Sequence, residues 1–519
     1  MSNIEFKIPA LPGEFAAKSE NPLREARELL EQAESLRQQR KFDRAESICT
    51  SLVRRYPEYF GALHTLGVIL ADRGDHRRAV GYLAQAAMFN PRSWFTLTAL
   101  AGVYLHLRAT EMAARTLEQA LALKPTEPSI LVTLGEIYQQ DREYELARDA
   151  FRKALEAEPG MEEASLGLAY ACATLSKHAE VVEALEGLLK RGVRSLGVLS
   201  ALVQLPASVI RMDVLAELDR VVRGADEDKT EFETGAAFVR AAALDKAGRH
   251  AEAWKQALEA NRPEAARMKK ELANNAIERK ARLKGLQASS VKAKSPTAGD
   301  EKWPISLFVM GPSRSGKTTM EALAGTLDGV RRGYENPGID HAISRTYQAA
   351  GLITVASINY LPPQLYPEVR EIYLEELARR AGPARVFTNT HPAFMSDAAL
   401  LAAILPNARF IFVKRNVDDI LLRIFMRQYK RGNEYSYDLK AAREYIEWYY
   451  KMIDLLAGKL PDITRVIQYE DMVADPAGAL GIAADLCGLP LNHGPLPEIG
   501  DDRGCAEPYR EFMDAALKD

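Results

Sequence analysis

The chain holds 519 residues with 68 Lys+Arg against 71 Asp+Glu, too long for one hydrophobic core and close to neutral overall. A net charge of −3 sets up no global field for nucleic acid or an anionic membrane, so any basic site has to be local. Cys49, Cys172, Cys487 and Cys505 lie scattered without metal-ligand or disulfide-framework spacing. No basic leader with an apolar stretch and no run of about 18 apolar residues occurs, and the expectation is a soluble, cytoplasmic protein without a membrane span.

Residues 1–25 read as an N-terminal extension. Beyond them, Pro57, Pro91, Pro125 and Pro159 stand 34 residues apart, the period of helix–turn–helix tetratricopeptide repeats. Small residues recur in register at Ala45, Ala79, Ala113 and Ala147, where two helices must approach closely. Leu66-Gly67, Leu100-Ala101 and Leu134-Gly135 take the matching site of the first helix. Three full repeats follow a half-matching one. After Pro159 the register weakens, because Val181 stands at the alanine site and no proline closes the unit. Stacked repeats bury a continuous core and leave a groove that fits a peptide or protein partner, with a spacer or dimerisation arm as the plainer reading. The all-α repeat domain is expected over 26–262.

Residues 263–302 are expected to form a basic, charge-laced helix, read as mostly solvated, and then a small-residue linker. From 303 to 519 the pattern changes to α/β: apolar runs at 305–310, 385–390, 408–414 and 464–469 alternate with helical segments, which predicts a parallel sheet with ligands at its carboxyl ends. Polar clusters fall at those ends. The first run leads into G-P-S-R-S-G-K-T-T over 311–319, which fits G-x-x-x-x-G-K-[ST] and builds a phosphate cradle from inward N–H groups and a helix N-terminus. Asn389-Thr390-His391, Lys414-Arg415 and Tyr469-Glu470-Asp471 follow the other runs, so one composite site is expected. The run at 408–414 ends in two cations where an ATP-dependent enzyme needs a magnesium carboxylate, although Glu470 and Asp471 keep an ATP-dependent kinase open.

Three ordered motifs resemble those of sulfotransferases that use 3′-phosphoadenosine 5′-phosphosulfate: the loop at 311–323, the segment 405–429 with its strand-end arginine, and Y-E-D-M-V-A-D-P at 469–476 followed by L-C-G-L-P at 486–490. The fusion to tetratricopeptide repeats is itself an architecture of bacterial sulfotransferases. The resemblance implies an O-sulfotransferase with that nucleotide as sulfate donor, no metal, and a peptide, protein tyrosine or glycan hydroxyl as acceptor. It implies that Ser315, Gly316, Lys317 and Thr318 cradle the 5′-phosphate, Thr319 adds a hydroxyl, and Arg314 and Lys317 neutralise the leaving oxygen. Arg415 would hold the 3′-phosphate, with Arg423 where the family has a serine. Glu335 and His391 both match family positions of the general base, and Glu335 is the favoured one. Lys317 stands in for a lysine missing at Asn389-Thr390, Arg503 is a weak candidate in a C-terminal closing loop, and Tyr347, Tyr360 and Tyr366 are candidates for the pocket wall. A nucleotide-binding scaffold without transferase activity is the third reading.

Overall fold

The computed structural model describes residues 20–107, 109–224, 229–295, 300–351, 362–429 and 433–518; most of the N-terminal extension and Tyr360 lie outside them. The chain splits into two compact units, Met1–Val193 and Arg194–Asp519.

The first unit is a helical stack. After Glu20–Gln38, helices begin at Phe42, His76, Thr110, Tyr144 and His178, each 34 residues after the last, and partner helices begin at Phe60, Trp94, Pro128 and Glu162. Ala45, Ala79, Ala113 and Ala147 are fully buried, as the packing demands. At Gly135 a Cβ would lie 2.7 Å from the Phe151 ring, so the close helix crossing needs that glycine. The repeat also runs on where the prolines stop. Val181 is buried in the alanine slot, and Gly192, at φ +85°, ends the helix His178–Lys190 by a left-handed turn.

The second unit starts with helices that the sequence pattern grouped with the repeats. The boundary at Val193 precedes the expected 262 because Lys229–Lys246 and His250–Ala288 pack on the α/β part: Asn261 Nδ2 donates to the Phe425 carbonyl (2.8 Å), and Trp254 lies 5.3 Å from the Phe425 ring. His250–Ala288 continues through Pro263 as one helix, and Trp448 Nε1 donates to the Arg279 carbonyl beneath its exposed basic face. The expected linker is tied down at Lys294, whose N–H donates to the Ala402 carbonyl (2.7 Å).

Among the described residues, five parallel strands form one sheet in the order β2 (Val330–Arg331), β3 (Val386–Asn389), β1 (Ile305–Met310), β4 (Ala408–Lys414), β5 (Thr464–Gln468). Alternate residues feed two cores. Phe308, Met310, Phe387, Phe410 and Phe412 meet Tyr449 and Ile453 on one face. Leu307, Val309, Val386, Ile411 and Val413 meet Met320, Leu323 and Leu480 on the other. Tyr347 is spent in the first core, and Tyr366 packs against it. The order places β1 centrally, flanked by β3 and β4, so whatever follows β1 is bracketed by the carboxyl ends of its two neighbours.

Candidate functional site

The loop after β1 turns back through Arg314 at φ +69° and Gly316 at φ +97° before the helix Lys317–Ala324 begins. A Cβ on Gly316 would meet the Tyr469 ring at 2.4 Å, so glycine is required by both conformation and space. The first N–H groups of the helix have no acceptor within it and point at the loop's hollow. Ser315 is fully buried, and its hydroxyl has no hydrogen-bond partner among the described residues.

On the β3 side, Lys317 is buried and its Nζ lies 3.1 Å from Glu335 Oε1, while Glu335 keeps 40% of its side chain exposed. The turn bearing Glu335 is pinned to the strand end. Thr390 N donates to the Tyr334 carbonyl (2.8 Å), and Asn389 Nδ2 donates to the Asn336 carbonyl (3.1 Å). Asn389 Oδ1 accepts from His391 N (2.9 Å), so the three base and loop candidates Glu335, His391 and Lys317 share one edge of the cradle. The His391 ring lies 4.9 Å from that of Phe394. Burial raises the pKa of Asp340, and the charges of His391 and His341 oppose that rise.

Glu321 does not stand out in the sequence, yet its carboxylate is completely buried. Its Oε1 accepts from Tyr334 N (2.8 Å) and the Thr388 hydroxyl, and Oε2 faces Arg332 (3.3 Å). The signal available was a carboxylate four residues after Lys317, one helical turn deeper on the same face.

On the β4 side, Lys414 and Arg415 separate, as consecutive residues at a strand end must. Lys414 turns to Asp454 (2.5 Å) and away from the loop, so the expected pair of cations reduces to Arg415. Arg415 Nη1 donates to the Arg314 carbonyl (3.1 Å), and the guanidinium stacks 4.4 Å over the Tyr469 ring. Its side chain is 4% exposed, and Nε has no partner among the described residues. Nη2 lies 3.1 Å from Asp502 Oδ2 and 3.8 Å from Asp419 Oδ2.

Asp502 also accepts from Arg423, at 3.0 Å from Nε and 2.6 Å from Nη2. Burial pushes the Asp502 pKa up, but the hydrogen bond and charge of Arg423, then the charge of Arg415, outweigh it and hold the group below the usual carboxylate range. One carboxylate thus lies against both arginines. Asp419 holds the same C-terminal segment by accepting from Gly504 N (2.8 Å) and Ala506 N (3.0 Å). Arg503 instead pairs with Asp501 (2.6 Å) on the exposed side.

Arg314 has an open surface yet is hemmed in by protein. That crowding, then the like charge of Arg427, lowers its pKa. Thr318 is exposed and Thr319 half-buried on the first turn of the helix. Glu470 Oε1 accepts from Asn416 N (2.9 Å) and so fastens the strand end, and Asp471 is exposed.

Profiles of known families match both halves. The tetratricopeptide repeat matches 30–95, 96–131 and 132–192, and the sulfotransferase family matches 304–493. Among solved structures, MamA aligns at 21% identity over 31% of this chain and 94% of its own (TM-score 0.30). A tetratricopeptide repeat protein from Parabacteroides merdae aligns at 19% over 46% and 92% (TM-score 0.35). YrrB, described as a repeat protein with an unusual peptide-binding site, aligns at 17% over 37% and 98% (TM-score 0.31). No helix among the described residues is long and apolar enough to cross a membrane. The loop 311–319 at the centre of the parallel sheet therefore lies in a sulfotransferase-family domain, which this chain joins to a stack of tetratricopeptide repeats.

Proposed function

We propose that the chain is an O-sulfotransferase that uses 3′-phosphoadenosine 5′-phosphosulfate as donor and an acceptor hydroxyl on a peptide, protein tyrosine or glycan, with the repeats presenting the acceptor or a partner. The observation that carries this reading is the hydrogen bond from Arg415 Nη1 to the Arg314 carbonyl, which ties a strand-end guanidinium to the phosphate loop itself. The residues fit a nucleotide with two separated anionic ends. The unpartnered Ser315 hydroxyl and the loop N–H groups suit one end, and Arg415 with Arg423, already gripping a carboxylate, suit the other.

The donor, when bound, supplies the sulfuryl group and a bisphosphate leaving group. Backbone N–H groups of Ser315 to Thr318 and the Thr318 and Thr319 hydroxyls orient its 5′ end, and Lys317 and Arg314 stabilise negative charge as it develops on the leaving oxygen. Lys317 has a second task. While paired with Glu335 it holds that carboxylate at the loop, and when its ammonium turns to the leaving oxygen, Glu335 gains the basicity to accept the proton of the acceptor hydroxyl. His391, on the same edge, is the alternative base.

Calorimetry of the full chain with 3′-phosphoadenosine 5′-phosphate against ATP·Mg²⁺ tests the donor. The bisphosphate is expected to bind tighter; binding of ATP with metal and none of the bisphosphate would make the chain a kinase instead. Transfer of labelled sulfate from the donor to an acceptor separates the enzyme from a silent scaffold.

A further inference from the structure

Arg423 is held from two directions by residues outside the stretch that matches the sulfotransferase family. Its Nε and Nη2 face Asp502, and its Nη1 lies 2.9 Å from Asp245 Oδ2, which belongs to the helix Lys229–Lys246. The second oxygen of Asp245 accepts from the Tyr509 hydroxyl (2.7 Å). The hairpin formed by this helix and His250–Ala288 is anchored to the helix Val417–Phe425, which carries Arg423, through Asn261, Trp254 and Phe425.

We propose that this hairpin completes the subsite for the donor's 3′-phosphate, with Asp245, its other oxygen held by Tyr509, as a positioning residue for Arg423. The inference rests on the donor reading above. A guanidinium has two edges that can take an oxyanion in bidentate fashion, and its choice between them is free unless something fixes the group. Asp245 takes Nη1 and leaves the Nε/Nη2 edge turned to the side where Arg415 also points. That edge now grips the carboxylate of Asp502, and a phosphate presents the same pair of acceptor oxygens.

The test compares 3′-phosphoadenosine 5′-phosphate with adenosine 5′-monophosphate, which lacks the 3′ group, by calorimetry on the full chain. Asp245→Asn is expected to weaken the bisphosphate about tenfold, and Tyr509→Phe, which releases the other Asp245 oxygen, about threefold, with the monophosphate changed less than about twofold in each. A purely structural role would weaken both ligands alike and leave their ratio fixed, which would overturn the proposal. Should Asp245→Asn fail to fold, the more conservative Tyr509→Phe decides, and an unchanged ratio there counts against the inference. Wild type that does not distinguish the two nucleotides would remove the donor reading as well, whereas wild type that does, beside two unaltered variants, removes only the hairpin's part.

Discussion

Glu335 and His391 differ in what surrounds them, and that difference sets the expected outcome of replacing each. Glu335 is half-exposed and shares Lys317 with the cradle, whereas His391 has its backbone N–H on the Asn389 amide oxygen, its ring against Phe394 and its charge acting on Asp340. Glu335→Gln is expected to lower sulfate transfer by about 10²- to 10⁴-fold with bisphosphate affinity nearly unchanged, and His391→Asn by less than about tenfold. The reverse ranking in a single-turnover assay would pass the base to His391. Asp502 makes a prediction of the opposite sign. Because its carboxylate lies against both arginines, and on the proposed reading would occupy the place of the donor's 3′-phosphate, Asp502→Asn should tighten the bisphosphate about tenfold while lowering the melting temperature. Its folded pKa is depressed, so the stability it adds is fully present above the ordinary aspartate value of about 4 and is lost as pH falls below that through the folded value. The melting-temperature gap between wild type and Asp502→Asn should accordingly be flat at neutral pH and close in acid.

At the scale of elements, the two glycines Gly135 and Gly102 occupy similar helices in the repeat stack and predict contrary effects. A methyl group at Gly135 would run into the Phe151 ring, and Gly135→Ala is expected to cost about 1–3 kcal/mol in urea unfolding. Gly102 has nothing within 4 Å of the same added atom and lies inside the helix Trp94–His106, so Gly102→Ala should stabilise by about 0.5–1 kcal/mol. Such helices were legible because packing repeats every 34 residues and leaves a mark in each unit. The last unit was dimmer only because a left-handed Gly192 does the work of a proline and Val181 fills a slot sized for alanine. The strands were readable for a similar reason: β1, β4 and β5 are apolar runs between turn residues, while the two-residue β2 is too short to carry a pattern. Gly316, Lys317 and Arg415 were visible because their chemistry lies in contiguous motifs. Asp245 and Asp502 were not, since they meet Arg423 from 178 and 79 residues away and nothing local records such a meeting, while Glu321 carried only its spacing from Lys317 as a signal.

For the whole molecule, the division after Val193 implies that the repeat stack and the sheet unit each have a core of their own. Calorimetric scanning of the full chain is expected to resolve two transitions, and bisphosphate at about 100 times its dissociation constant should raise only the one belonging to 194–519, by about 2.7 kcal/mol. A ligand that moved both together would mean that the units melt as one. The boundary has a practical side for anyone who would trim this protein. A fragment cut to the stretch that matches the family, 304–493, sheds the aspartates at 245 and 502 together, so that Arg423 loses both of its carboxylate partners and Arg415 keeps only Asp419, at 3.8 Å. Such a fragment would be expected to precipitate or to scavenge phosphate from its buffer, and its inertness would say nothing about the intact chain.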